Sequence, residues 1–112
     1  MTRKFLLSVV LTVVSLPAWA ALDALEQAYE LGLNQVRLPA HSASQVVVRS
    51  CADCAPVLLP VSTETRYYLK YGQPAVALDK FLAEAASRPR DGLVTVFYKP
   101  EDGSVTRIVL GG

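Results

Sequence analysis

The spacing of hydrophobic positions changes several times along this chain, and each change marks a predicted element. Leu22, Leu25, Ala28 and Tyr29 recur at helical intervals, with Asp23 where a cap belongs and Gly32 where a helix ends. This pattern predicts a short amphipathic helix over residues 23–31. Residues 33–38 alternate, placing Val36 and Leu38 on one side and Gln35 and Arg37 on the other, as a half-buried strand requires. The small polar residues 39–44 read as a loop. Val46, Val47 and Val48 follow in succession, a β-branched run that favours sheet over helix, so a second strand is expected over residues 45–50.

Beyond the second cysteine, Pro56 and Pro60 bracket three aliphatic residues, and Thr63, Thr65, Tyr67 and Leu69 then alternate with Glu64, Arg66, Tyr68 and Lys70. Residues 57–71 are expected to form one long or bulged strand. After a turn at Gly72-Gln73-Pro74, Leu78, Phe81, Leu82 and Ala85 define one helix face. Asp79 complements the start of that helix, Arg88 complements its end, and Pro89 stops it. Residues 93–99 and 104–110 are expected to pair as a hairpin through Pro100-Glu101-Asp102-Gly103, where Gly can adopt positive φ.

Apart from the leading helix, the order is three strands, a helix and two strands, which predicts an α+β chain that is mostly β. That order, over about residues 33–110, resembles the OB-fold. The resemblance implies a five-stranded barrel with a helix between strands 3 and 4 and a strand face suited to oligosaccharide or peptide. Barrel closure would also hide sheet edges that otherwise invite aggregation. Thr65-Arg66-Tyr67-Tyr68, Val94-Thr95-Val96-Phe97-Tyr98 and Val105-Thr106-Arg107-Ile108 are similar to segments of small exported bacterial proteins, a likeness that implies no particular activity. The rival architecture is an open antiparallel sheet with one packed helix.

The N-terminus carries an address. Arg3 and Lys4 precede a mostly apolar run over residues 5–16, and Ala18-Trp19-Ala20 supplies an A-x-A cleavage site. As a helix, the run would rise about 18 Å, short of a hydrocarbon core of about 30 Å. Residues 1–20 are therefore expected to be a signal peptide. Residues 21–112 would be one exported domain, periplasmic or secreted, with no membrane span after cleavage. Losing Arg3 and Lys4 leaves nine Lys plus Arg against ten Asp plus Glu. That flat balance argues against nucleic acid as a partner. With 52% hydrophobic and 19% charged residues, the chain has the composition of one compact domain.

Cys51 and Cys54 form a C-x-x-C motif. Haem attachment would require His at position 55, which is Ala, and a zinc site would require four ligands where the chain offers two Cys and His41. Two readings stay open. A thiol–disulfide exchanger would use Cys51 as nucleophile and Cys54 as resolving thiol, and would need Cys51 at a helix N-terminus. A structural disulfide would clip the turn between strands two and three in an oxidising compartment.

No phosphate-binding glycine loop or other cofactor motif occurs, no paired carboxylates stand out, and His41 lies among small polar loop residues without an evident partner. Arg37, Arg49, Arg66 and Arg107 fall one on each of four expected strands, and Tyr68 and Phe97 share outward positions with them. Together they can form a patch of guanidinium and aromatic groups for anionic sugars, a peptide or an acidic protein. Alternatively, the arginines simply guard strand surfaces against edge pairing. The sequence favours a binding or structural module of the cell envelope over an enzyme.

Overall fold

The computed structural model describes residues 26–111. The expected leader and the start of the expected first helix, residues 23–25, lie outside the described residues. Among the described residues, seven strands form two open sheets. They are β1 (Gln27–Gly32), β2 (Val36–Arg37), β3 (Gln45–Val48), β4 (Val57–Pro60), β5 (Arg66–Tyr68), β6 (Leu93–Tyr98) and β7 (Val105–Leu110). A 3-10 turn spans Leu33–Gln35, and one helix, α1 (Leu78–Ser87), follows β5.

The larger sheet has the order β1-β6-β7-β5 and the smaller β2-β3-β4. The β6–β7 hairpin and α1 form where the sequence pattern put them. Gly103 takes φ 75°, and its N–H donates to the Lys99 carbonyl at 2.8 Å, closing the hairpin. Asp102 accepts from both the N–H and the hydroxyl of Ser104, at 3.0 and 2.8 Å, which lowers its pKa. Phe97 pairs with Arg107 but Tyr98 pairs with Val105, so Thr106 is an extra residue in the ladder.

The expected helix over residues 23–31 is not formed in its described part. Gln27–Gly32 is instead a strand antiparallel to β6. Its apolar residues satisfy two periods at once, and pairing decides between them. As a strand, Tyr29 and Leu31 pack against the core, and Tyr29 stacks on Tyr98 with ring centroids 5.1 Å apart. The pairing also satisfies the backbone groups along the outer side of β6, which a helix would leave open. Residues 33–38 likewise yield only a two-residue strand, because the first three close a 3-10 turn.

No barrel forms, so the OB-like topology does not hold, and the helix comes after the fifth strand. The reason lies at residues 61–65. Where one long strand was expected, the Thr65 hydroxyl accepts from the Ser62 N–H at 3.0 Å and donates to the Val105 carbonyl at 2.8 Å. The Thr65 N–H donates to the Ser62 carbonyl at 3.1 Å, completing a tight turn. That turn moves the chain from β4 in one sheet to β5 in the other, where β5 runs parallel to β7. The single antiparallel sheet considered as the rival is therefore also incorrect.

The core lies between the sheets and α1. The small sheet contributes Val36, Val46, Val48 and Leu59, the large sheet Tyr67, Val94, Val96, Ile108 and Leu110, and the helix Phe81 and Ala85. Phe81 meets Tyr67 at a centroid distance of 5.3 Å. Burial of these side chains supplies the main stabilising term. The outer edge of β4 is blocked by its own sequence. The Val61 N–H donates to the Ser44 carbonyl, so alternate residues 56, 58 and 60 turn their nitrogens away from β3. Two of these are prolines, which leaves Leu58 with the one outward N–H among the three.

Candidate functional site

Arg37, Arg49 and Arg90, far apart in sequence, are all anchored on the Leu33–Gln35 turn. The Asn34 N–H donates to the Arg90 carbonyl at 2.8 Å, and the Leu33 N–H donates to the Gly92 carbonyl at 2.8 Å. On the other side, the Arg49 N–H donates to the Gln35 carbonyl at 2.9 Å, and the Gln35 side-chain amide donates to the Ser50 carbonyl at 3.1 Å. Gln35 Oε1 in turn accepts from the Gly32 N–H at 3.0 Å. The chain leaving the turn enters β2, which carries Arg37.

These three arginines line a groove of about 730 Å³ between the small sheet and α1. Its sheet wall includes a lateral row, since Arg37 pairs with Val47 and Val47 pairs with Leu58. Its helix wall is Leu82, Ala85 and Ala86. Leu58 is 54% exposed, a high value for a large aliphatic side chain. The groove lining contains no carboxylate, and among the described residues none of its three arginines has an ion-pair partner. The result is a cationic channel with aliphatic walls in a chain of nearly balanced charge.

The patch of six residues expected from sequence divides in two. Arg37 and Arg49 belong to the groove. Arg66, Tyr68, Phe97 and Arg107 share the outer face of the large sheet, where Arg66 pairs with Arg107 and Arg107 with Phe97. On that face Arg107 is already engaged, with its guanidinium 3.8 Å from the Phe97 ring centroid and its Nη2 3.3 Å from Glu26. Thr106 also hydrogen-bonds Glu26 through its hydroxyl. Arg90 and Leu58, which no sequence pattern marks as site residues, also line the groove. Arg90 sits in a Pro89-Arg90-Asp91-Gly92 turn, closed by the Gly92 N–H donating to the Pro89 carbonyl, and the Pro and Gly signal that turn.

Cys51 and Cys54 lie at disulfide distance in the connection between β3 and β4, with Cα atoms 5.0 Å apart. The Cys54 N–H donates to the Cys51 carbonyl at 3.2 Å, and the chain continues through Pro56 into β4. No helix begins at Cys51, so the dipole that activates the first thiol of an exchanger is missing here. His41 is exposed, and its backbone hydrogen-bonds the Ser44 side chain. No group of three potential metal ligands occurs among the described residues, and no described helix is long and apolar enough to cross a membrane. Comparison of the chain with protein-family models, curated proteins and solved structures gives no match.

Proposed function

We propose that this protein is a periplasmic or secreted binding module that holds an acidic, aliphatic-rich peptide segment in the arginine groove. The reading rests on one observation: Arg37, Arg49 and Arg90 line a single groove that has no carboxylate and has aliphatic walls. A guanidinium offers a carboxylate two parallel hydrogen bonds, and three along one channel suit a ligand with repeated negative charge. Val47, Leu58 and Leu82 supply apolar contact for side chains between those charges. An anionic oligosaccharide fits less well, because sugar faces stack on aromatic rings and the groove lining has none. The leader-like residues 1–20 and the cysteine pair support a cell-envelope or extracellular setting.

Fluorescence anisotropy tests the reading with three probes: a labelled peptide alternating Glu and Leu, its Lys-Leu counterpart and an oligogalacturonate. The acidic peptide should bind saturably and weaken as salt rises, while the basic peptide should not bind. Equal binding of both peptides, or a preference for the uronate, would contradict it.

A further inference from the structure

We infer that the acidic ligand binds as an added β-strand, hydrogen-bonded through its main chain to the open edge of β2, with acidic and aliphatic side chains in strict alternation. This rests on the peptide reading of the groove and specifies the order of residues in the ligand. The small sheet has the order β2-β3-β4, so β2 is one of its edges. The Arg49 N–H donates to the Gln35 carbonyl, so the odd-numbered residues of this stretch bond to β3 and the main-chain groups of Val36 and Leu38 face away from it. The Val36 N–H is already taken by the Leu33 carbonyl. That leaves the Val36 carbonyl and the main-chain groups of Leu38 for an incoming chain, and the Leu38 N–H has no partner among the described residues. The other edge of the sheet, on β4, carries Pro56 and Pro60 and offers fewer donors.

Val36 lies in the core and Leu38 packs against it, yet both line the groove. With their side chains turned inward, what they offer the groove is main chain. An extended segment bonded there sends alternate side chains to opposite sides. On one side are Arg37 and Arg49, at odd-numbered positions on the sheet face opposite Val36 and Val48. On the other are Leu38 and, from α1, Leu82 and Ala86, next to the helix residues Phe81 and Ala85 that share the core with Val36. A carboxylate at every second position therefore meets guanidinium groups, and the aliphatic residue between two carboxylates meets the helix. Main-chain bonds supply affinity in this mode of recognition, while the two walls read the order of the side chains. A ligand of the same composition, with its acidic and aliphatic residues in separate blocks, satisfies only one wall at a time.

Fluorescence anisotropy with four labelled probes tests this on the protein with its cysteine pair oxidised. The probes are the alternating Glu-Leu peptide, a block peptide of the same composition, and two alternating depsipeptides in which an ester oxygen replaces the N–H of every Glu or of every Leu. Sliding a repeating peptide by two residues leaves this contrast intact. The block peptide should bind about tenfold more weakly than the alternating one. One depsipeptide should also lose about tenfold, through its missing hydrogen bonds to the edge, while the other stays within about twofold of the parent. Loss on the Glu esters marks a strand parallel to β2, and loss on the Leu esters an antiparallel one. Exchange of the Leu38 amide, followed by NMR, should slow about tenfold or more when the alternating peptide saturates the protein. Equal affinity for alternating and block peptides, equal effects of the two ester series, or an unchanged Leu38 amide would overturn the added strand and leave the acidic-peptide groove standing. An alternating peptide that does not bind at all would overturn both.

Discussion

The backbone N–H of Asn34 donates to the carbonyl of Arg90 at 2.8 Å, joining the turn after α1 to the turn before β2. One residue on, the Gln35 carbonyl accepts from the Arg49 N–H and the Gln35 side-chain amide donates to the Ser50 carbonyl. The arginine groove is therefore held from its back by a three-residue turn whose own side chains do not supply the charge.

Gln35→Ala should expose how much the site depends on that support. It removes two side-chain hydrogen bonds, to the Gly32 N–H and the Ser50 carbonyl, while leaving all three arginines in place. Urea denaturation should show a loss of about 1–2 kcal/mol. Affinity for the acidic peptide should fall with it, through misplacement of Arg49 instead of loss of charge. Unchanged stability and affinity would show that the turn holds without its amide.

Thr65 is the corner that separates the sheets. Thr65→Val keeps the shape but leaves the buried Val105 carbonyl and the Ser62 N–H without their side-chain partner. A loss of about 1–3 kcal/mol is expected by chemical denaturation. Thr65→Ser, which keeps the hydroxyl, should lose less.

Tyr67 is buried against Phe81, and its hydroxyl has no hydrogen-bond partner among the described residues. Burial raises its pKa above the usual phenol value. The folded protein thus holds the phenolic proton more tightly than the unfolded chain. That contribution to stability is intact below the unfolded pKa of about 10 and is lost as pH rises through the higher folded value. Tyr67→Phe should be neutral or stabilising by up to about 1 kcal/mol at pH 7. Denaturation midpoints measured between about pH 9 and 11 should fall more steeply for wild type than for the variant.

The cysteine pair closes a very short loop between Arg49 and Pro56, both of which line the groove. Mass spectrometry after alkylation without reductant should show no added label, and after reduction two. Reduction should cost about 2 kcal/mol at most by the chain-entropy argument, without unfolding the protein. Two labelled thiols before reduction would contradict the disulfide.

Legibility from sequence follows whether local pattern and tertiary pairing agree. For α1, spacing, Pro89 and core packing of Phe81 and Ala85 all point the same way, and the helix forms as read. The β6–β7 hairpin is equally consistent, because Gly103 and Asp102 make the turn chemistry local. The stretch ending at Gly32 fits both helix and strand spacing, and only the open side of β6, which is not a local property, decides for strand. Residues 63–70 alternate and extend the aliphatic run of residues 57–59, which reads as one strand, yet the side chain of Thr65 binds a carbonyl forty residues away and breaks the run. The groove was half legible: Arg37 and Arg49 were visible as strand arginines. Arg90 joins them through backbone bonds from a turn whose sequence is silent about its partner.

Calorimetric titration of the Glu-Leu peptide into wild type and into an Arg37→Ala, Arg49→Ala, Arg90→Ala triple variant locates binding most directly. The groove account predicts a saturable wild-type isotherm and at least a tenfold weaker one in the triple variant, with the salt dependence reduced alongside it. An Arg66→Ala, Arg107→Ala control should bind as wild type does. Peptide affinity that survives loss of the three groove arginines, or that vanishes in the control instead, would contradict the account.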